Sequence, residues 1–473
     1  MREFLDYIKG KDYKPGSLTL GETIAIATQL NWRVSEVILA EAAVAQAMTI
    51  REVREAVLRA FDHNLAATQL GLEQGQSFLL GKVPQELAQN SFSHRLVEDN
   101  FLNKVLVYTL AAQVGNHSCG LQPCAGTGDS CTYAGLMRAL KEVVQDRGQL
   151  AEIAAVMLKV GTLFRAGKKT TGCNMEGFGA GAAATAAALV EWRKGSPAMM
   201  EKAMVLALSP TIGNPCTPRV MVAGLCATHI GGGVLIGNLA ANLALHTTIP
   251  VTVPVDVMLT MAAAVHQVSA ETIVPVVNRY MKAFFKTNQA VESFISQTVR
   301  QAEQAAVEKA IAAAESEAHV LAERANSIVQ PFGEAVVGGS SQAVGSPTNT
   351  GRIAHFLASG EITGVKIELY AELFARRGIN VPGILMGAVL GAGTENSEAY
   401  AEVLSLVESR KISVTIQQAA EPQMQRVTVY ATGCTGMVEA LNRGGARLCL
   451  KQALPSVGQA REVAQKLGIV LVD

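Results

Sequence analysis

The sequence predicts a mainly α domain followed by a smaller α+β domain. Apolar residues recur at helical spacing through most of the first 290 residues, and strand-like alternation is concentrated in the last third. Between them lies an alanine- and glutamate-rich stretch without proline or glycine, which is typical of a long exposed helix. We therefore expect domains at residues 1–290 and 331–473, joined by a helical connector at 291–330.

Within the first domain the helices begin early in the chain. Val34, Val37 and Ile38 share one helical face, and Ser35 is the predicted N-cap of that helix. Glycine-rich loops then alternate with apolar helices, including one that follows Ser130 and one around residues 182–184.

The last domain contains the predicted strands. Residues 365–370, 412–416 and 426–430 alternate between apolar and polar side chains, as half-buried strands do. A helix is expected from Thr350, after a loop rich in glycine and serine.

Composition excludes several classes of function. Forty basic residues balance forty acidic ones, and aromatic residues make up only 5%, so neither a nucleic-acid surface nor a base-stacking platform is indicated. The eight cysteines are irregularly spaced and no signal peptide is recognisable, so we expect a reducing, cytoplasmic protein without a disulfide framework.

The most apolar stretch, residues 220–245, is long enough to span a membrane. It is flanked by Arg219 and contains His229 and Asn238, and its glycine triplet at 231–233 is expected to break the helix. We predict two buried core helices joined by a glycine turn, and no membrane partner.

Three cysteines lie in unusual small-residue contexts: Cys173, Cys216 and Cys226. Thiolates from three separate loops can hold three irons of a cubane cluster and leave the fourth iron open as a Lewis acid. Buried apolar thiols are the alternative, since cysteine is a common core residue. Spacing alone leaves both interpretations open.

A second feature is the pair of polar segments at 116–120 (NHSCG) and 126–131 (GTGDSC). Glycines and hydroxyls just before a helix offer free backbone N–H groups, which suit a carboxylate or phosphate. A tight turn with a capping side chain is the alternative. The glycines of 177–181 have the wrong spacing for a dinucleotide site, and no strand precedes them.

These segments together resemble the α part of the iron–sulfur-dependent L-serine dehydratases. The family's Asn-x-Ser-x-Gly run and its Pro-Thr-Ala-Gly-Ser-Cys run align without gaps to the polar segments above. Its Gly-Cys-Gln-x-Glu run is similar to 172–176, and its Cys-Asp-Pro with a following cysteine is similar to 216–218 and Cys226. The resemblance covers roughly residues 20–290. It implies a four-iron four-sulfur cluster held by Cys173, Cys216 and Cys226, so the helical domain is expected to be cluster-binding.

The tail resembles the family's smaller β part. The family loop Gly-Pro-Ser-Ser-Ser-His-Thr-x-Gly-Pro aligns to residues 338–347, and its closing Gly-Arg aligns to residues 351–352. The chain is therefore similar to an α–β fusion with the β-like part last.

Three departures from the family pattern bear on the substrate. The family's loop histidine falls on Ala343, and the aspartate after the second ligand is Thr217. In the first cradle, Pro-Thr-Ala-Gly becomes residues 126–129, which adds the carboxylate of Asp129. An alanine cannot act as an acid or base, so another residue has to move the proton.

The polar residues near the expected cluster supply the remaining candidate roles. Candidate bases are Asp129, His117 and Glu176, with His229 as a further candidate, although each could instead be a cap or a packed residue. Substrate contacts are expected from Asn116, Thr127, Gly128, Ser130, Ser340 and Ser341.

The implied activity is elimination of water, and for amino acids ammonia, from L-serine or a related small β-substituted acid. Two other functions remain open. One is cysteine desulfidase-type elimination, because a soft iron tolerates a thiolate leaving group. The other is a non-catalytic paralogue that binds a cluster or ligand. We expect a small-molecule substrate, a homodimer and no nucleic-acid partner.

Overall fold

The computed structural model of the chain describes residues 1–77, 80–89, 95–119, 131–167, 176–213, 223–281, 284, 289–329, 345–443, 447–452, 454 and 456–473. Within these ranges, the side chains of residues 117–119, 131, 167, 176–177, 223–226, 270, 289 and 345 are not described. The chain divides into two compact units, Met1–Glu317 and Ala318–Asp473.

The first unit is helical throughout its described part, which agrees with the predicted fold class. Its helices are α1 (Arg2–Gly10), α2 (Leu20–Leu30), α3 (Val34–Gln46), α4 (Ile50–Arg59), α5 (Asp62–Glu73), α6 (Val83–Gln89), α7 (Asn100–Cys119), α8 (Cys131–Val143), α9 (Arg147–Gly167), a π-helical turn (Glu176–Ala180), α10 (Gly181–Trp192), α11 (Pro197–Leu208), α12 (Ala223–His246), α13 (Val255–Met281) and α14 (Gln289–Glu292). The next helix, α15 (Gln297–Arg324), begins in the first unit and ends in the second.

Helix α10 is the centre of this unit. Every residue from Gly181 to Glu191 is buried, and most of them are alanine. Small side chains allow helix axes to approach closely, and α9, α11 and α12 all pack against α10. Helix α10, which follows the π-helical turn after the predicted ligand Cys173, is therefore packed against other helices on several sides.

Ser35 does not cap α3, contrary to the prediction. Arg33 is the N-cap residue, and Ser35 lies inside the helix with its hydroxyl donating to Glu191 Oε1 at 2.7 Å. Glu191 also pairs with Arg33 across the helix contact. Burial raises the pKa of Glu191, while the guanidinium and hydroxyl act in the opposite direction. A serine in the first turn of an apolar helix can thus donate a hydrogen bond to a buried carboxylate instead of capping the helix.

The prediction of a glycine turn at 231–233 is wrong. Helix α12 runs without interruption from Ala223 to His246. Glycine lowers helix stability by only about 1 kcal/mol relative to alanine, and close packing offsets that cost here. An added Cβ at Gly237 would lie 2.6 Å from the carbonyl oxygen of Ala182 on α10. Gly237 therefore serves the packing of α12 against α10.

Helix α13 is bent by 47° between Val255–Ser269 and Glu271–Met281. Pro275 lies inside the second half, where it lacks a backbone N–H and its ring displaces the preceding turn. In the described part of the chain, no single helix is long and apolar enough to cross a membrane. The two halves of α13 reach that length and composition only when they are taken together.

The second unit is a five-stranded mixed sheet with helices. Its elements are α16 (Gly345–Leu357), β1 (Ile362–Leu369), α17 (Ala371–Ala375), α18 (Arg377–Leu390), α19 (Ser397–Ser409), β2 (Ser413–Gln418), β3 (Met424–Ala431), β4 (Gly436–Asn442), β5 (Leu448–Leu450) and α20 (Val457–Lys466). The strand order is β2-β1-β3-β4-β5, and only the β1–β2 pair is parallel.

The three predicted strands correspond to β1, β2 and β3, and the α+β class of this unit is confirmed. Alternation places Val365, Ile367 and Leu369 of β1 in the core, which α16 and α18 help to form. Helix α16 begins at Gly345, five residues before the predicted start at Thr350. Its first turn is polar, so the apolar periodicity alone missed it.

Candidate functional site

Most of the predicted site residues lie outside the described residues. His117 and Cys226 are described only by their helical backbone, and Glu176 by its backbone at the start of the π-helical turn, whereas Asn116 is described fully. Outside the described ranges are Cys173, Cys216, Thr127, Gly128, Asp129, Ser130, Ser340, Ser341 and Ala343.

The frame around the first site segments is nevertheless described. Residues 120–130 connect α7 to α8, residues 168–175 connect α9 to the π-helical turn, and residues 214–222 precede α12. Each of these segments starts and finishes at the end of a described element. Contacts between the flanking elements therefore show which of these ends lie close together.

The start of α8 lies directly beside the start of α10. An added Cβ at Gly181 would be 2.8 Å from Thr132 Oγ1 and 3.1 Å from Thr132 Cγ2, so only glycine permits this approach. Thr132 is 0% exposed and follows Cys131, the first residue of α8. The end of segment 120–130 is thus close to the helix that follows segment 168–175.

Thr132 is also a buried hydroxyl without a visible partner. Among the described residues, none forms a hydrogen bond with its Oγ1. A buried polar atom of this kind costs about 1–3 kcal/mol when it stays unsatisfied.

The π-helical turn lies against α12. The rings of Phe178 and His229 are 4.9 Å apart between centroids and inclined by 37°. An added Cβ at Gly232 would be 3.1 Å from Phe178 Cε2, so this glycine makes room for the ring. The turn after segment 168–175 is therefore in contact with the second turn of the helix that carries Cys226.

These contacts bring together the start of α8, the π-helical turn that leads into α10, and the second and third turns of α12. Helix N-termini present unpaired N–H groups and a partial positive charge. Such an environment suits an anionic ligand or thiolate-bound metal. In the sequence, these elements adjoin segments 120–130, 168–175 and 214–222, which carry the predicted anion loop and two of the predicted ligands.

Helices α7 and α8, which flank residues 120–130, are linked at their far ends. The Tyr108 hydroxyl donates to Glu142 Oε1 at 2.6 Å, and Lys104 Nζ lies 2.7 Å from Glu142 Oε2. Burial and the hydrogen bond to Glu142 raise the pKa of Tyr108 to about 12. This pairing holds the two helices together at the ends that lie away from residues 120–130.

The described side chains do not by themselves contain a metal site. No group of three histidine, cysteine, aspartate or glutamate side chains among them is arranged to hold a metal ion. Of the eight cysteines, only Cys434 and Cys449 have described side chains, and both are free.

In the second unit, the predicted glycine–serine loop leads into a buried polar helix start. Gln425 Nε2 of β3 donates to Ser346 Oγ at 3.0 Å and to Thr350 Oγ1 at 2.6 Å. Thr348 Oγ1 and Gln425 Oε1 are buried and have no hydrogen-bond partner among the described residues. The apolar periodicity did not predict this polar cluster, because a run of glycine and hydroxyl residues is more typical of a loop than of a helix.

No protein-family model matches the chain, and no curated protein matches it either.

Proposed function

We propose that the chain is an iron–sulfur-dependent lyase that eliminates water from L-serine or a related small β-substituted acid. The observation that carries the proposal is the meeting of α8, the π-helical turn and α12, each of which borders a segment with a predicted ligand or anion loop. The cysteine contexts of the sequence support it independently.

Cys173, Cys216 and Cys226 would hold a four-iron four-sulfur cluster. When bound, such a cluster supplies a Lewis-acidic iron that makes a hydroxyl a better leaving group. Because the three residues come from two loops and one helix start, their sulfurs can meet only if those elements are adjacent. The contact of Phe178 with His229 supports the adjacency of the turn after Cys173 and the helix that carries Cys226.

The remaining chemistry belongs to the chain's own polar residues. Asn116, Thr127, Gly128 and Ser130 would orient the substrate's carboxylate with N–H and hydroxyl donors. A base, for which Asp129, His117 and Glu176 are the sequence candidates, would take the α-proton. Loss of water leaves an enamine, which hydrolyses to an oxo-acid and ammonia. The hydroxyls of Ser340 and Ser341 would serve the same carboxylate.

Cysteine desulfidation is the second candidate function. The observation that favours it is Ala343, which stands where the resembling family has a histidine, so the acid–base chemistry of this chain differs. A thiol leaving group is less basic than a hydroxyl and needs less protonation. Product analysis on serine and cysteine separates the two candidates.

The test is anaerobic reconstitution followed by iron and sulfide analysis and turnover on a panel of small β-substituted acids. Serine at Cys173, Cys216 or Cys226 should abolish the iron content and the visible absorbance. Cys434→Ser is the matched control, because that thiol is exposed and lies in the second unit. Full iron content in all three site variants would contradict the cluster. A parent protein that is brown but turns over none of the substrates would be a cluster-binding protein without lyase activity.

A further inference from the structure

The outer edge of strand β2 is the open edge of the sheet in the second unit. Strand β2 (Ser413–Gln418) ends the strand order, and among the described residues it pairs only with β1. At the opposite edge the end of the chain lies alongside β5. There Leu448 N donates to Val470 O at 3.1 Å, and Val472 N donates to Leu448 O at 2.8 Å. The chain thus covers one edge of the sheet, whereas β2 has no such cover among the described residues.

Alternate residues of β2 direct their backbone groups away from β1. Ala419 N donates to Leu369 O of β1, and every second residue before Ala419 faces β1 in the same way. Val414, Ile416 and Gln418 therefore turn their N–H and C=O groups outward. Among the described residues, none bonds to these outward groups. Such a row of unpaired backbone groups is a template for pairing with another strand.

Strand β2 also lacks the features that usually keep an edge strand from pairing. Its sequence, SVTIQQ, contains neither a charged residue nor a proline. Its register with β1 runs without a bulge from the Gly364–Ser413 pair to the Leu369–Gln418 pair. All of its residues except Val414 are exposed, and Ile416 exposes 38% of its surface. A regular, uncharged and exposed strand is suited to backbone pairing.

We propose that β2 is a self-association surface, on which β2 of a second copy of this chain pairs antiparallel about a two-fold axis at Ile416. In this register Ile416 faces its own counterpart, and Val414 faces Gln418 of the second copy. Each of these opposed pairs exchanges two backbone hydrogen bonds, because their N–H and C=O groups point at each other. The apolar Ile416 side chains cover one another across the axis. This inference does not depend on the proposed function.

The charges around β2 favour a second copy in the antiparallel direction. Because β2 itself is uncharged, self-pairing sets no like charges directly opposite each other. Arg410 and Lys411 precede the strand, and Glu421 follows it. Antiparallel pairing brings the start of one strand beside the end of the other, so these basic residues approach Glu421 of the second copy. The side chain of Glu421 is 47% exposed and uses Oε1 for its pair with Lys451.

The test is sedimentation velocity of the full chain over a range of concentrations. A thiol reductant prevents cross-linking through the exposed Cys434. At high concentration the parent should have twice the mass of the Ile416→Lys protein, because two lysines facing each other on the axis repel. Ile416→Glu should behave in the same way. The matched control is Leu321→Lys, which changes another exposed aliphatic side chain of the second unit and should keep the parent mass.

Mixing the two charged variants separates pairing from any effect on folding. In the mixture a lysine faces a glutamate across the axis, so Ile416→Lys and Ile416→Glu together should form a complex with the mass of the parent. A mixture that keeps the mass of its components overturns the proposal, because this register requires the opposite charges to meet. A parent with the same mass as the Ile416→Lys protein at every concentration also overturns it, and the open edge then belongs to a strand from a different partner.

Hydrogen exchange of the parent gives a measurement that needs no variant. The amides of Val414, Ile416 and Gln418 should exchange more slowly as the protein concentration rises, because pairing protects their outward N–H groups. The amides of β5 should exchange at a constant rate, since that edge is already covered by the end of the chain. Exchange in β2 that is independent of concentration overturns the proposal.

Discussion

Single glycines determine how closely the elements of the candidate site approach one another. Gly231 and Gly232 are neighbours in the middle of α12, yet their surroundings differ. An added Cβ at Gly231 would meet only Leu106 Cδ2 at 3.5 Å, which is an ordinary contact. At Gly232 it would lie 3.1 Å from the Phe178 ring, which would have to move.

This difference gives a matched pair of variants. Gly231→Ala should raise the free energy of unfolding by about 0.5–1 kcal/mol, the usual helix gain of alanine over glycine. Gly232→Ala should show no gain, or a loss of about 1–3 kcal/mol from overpacking against Phe178. Urea unfolding followed by tryptophan fluorescence reports on the first unit, because Trp32 and Trp192 are the chain's two tryptophans. Equal stabilisation by both alanines would show that the Phe178 contact does not constrain α12.

The same helix shows which features could not be predicted from the sequence. The triplet at 231–233 predicts a turn because glycine is a poor helix former, but the tertiary packing of α12 overrides that preference. His229 stood in the sequence as one of several possible bases. The contact of its ring with Phe178, 51 positions earlier in the chain, is visible only in the structure. Periodicity contains no information about such long-range contacts.

Among the secondary structure elements, the strands with clear alternation were the most predictable. Strands β1, β2 and β3 combine alternation with β-branched residues, and all three are present. Strand β5 has only three residues and contains Cys449, so its pattern is too short to recognise. The early start of α16 is hidden by hydroxyl residues that Gln425 satisfies from β3.

One face of that sheet carries a partly buried ion network across three strands. Arg426 of β3 bonds Glu368 of β1, with Nη1 and Oε2 3.0 Å apart, and it also pairs with Glu439 of β4. Burial alone would raise the pKa of Glu368, but hydrogen bonds from Arg426 and Gln417 outweigh it and hold this pKa below its usual value. The network therefore stabilises the sheet while Glu368 is ionised.

The pKa of Glu368 is lower in the folded state than in the unfolded state. The contribution of ionised Glu368 to folding stability is therefore fully present above the ordinary carboxyl pKa, and it is lost as the pH falls through the lowered value. We expect Arg426→Leu to destabilise the sheet by about 1–3 kcal/mol at pH 7, less than a fully buried pair because Arg426 is about one-third exposed. The loss of stability in acid should be smaller in the variant than in the parent.

Hydrogen exchange of the β1 and β3 peptides at pH 7 and under acid conditions measures this effect. Lys451→Ala removes the exposed pair with Glu421 and serves as the control, with exchange close to that of the parent. Parent-like protection in Arg426→Leu at both pH values would contradict a stabilising network.

At the scale of the whole molecule, each unit has its own hydrophobic core, and the division between the units falls inside α15. No residue of α15 is buried, and Leu321 is 69% exposed. A helix of 28 residues rich in alanine can form without tertiary support, but little holds it closed against local opening. The sequence predicts this exposed helix correctly, because its composition rather than its packing determines it.

Limited proteolysis tests this organisation. Trypsin should cut first after Arg300, Lys309 or Arg324, because α15 can open locally while the helices of the first unit are fixed by their cores. Lys159, which is 12% exposed and paired with Glu41, should resist cleavage over the same period. Mass spectrometry of the early products identifies the sites. A protein with glutamine at all three positions is the control and should lose the early cuts in α15. First cuts within residues 1–281 or 345–473 of the parent would show that α15 is more stable than the units it connects.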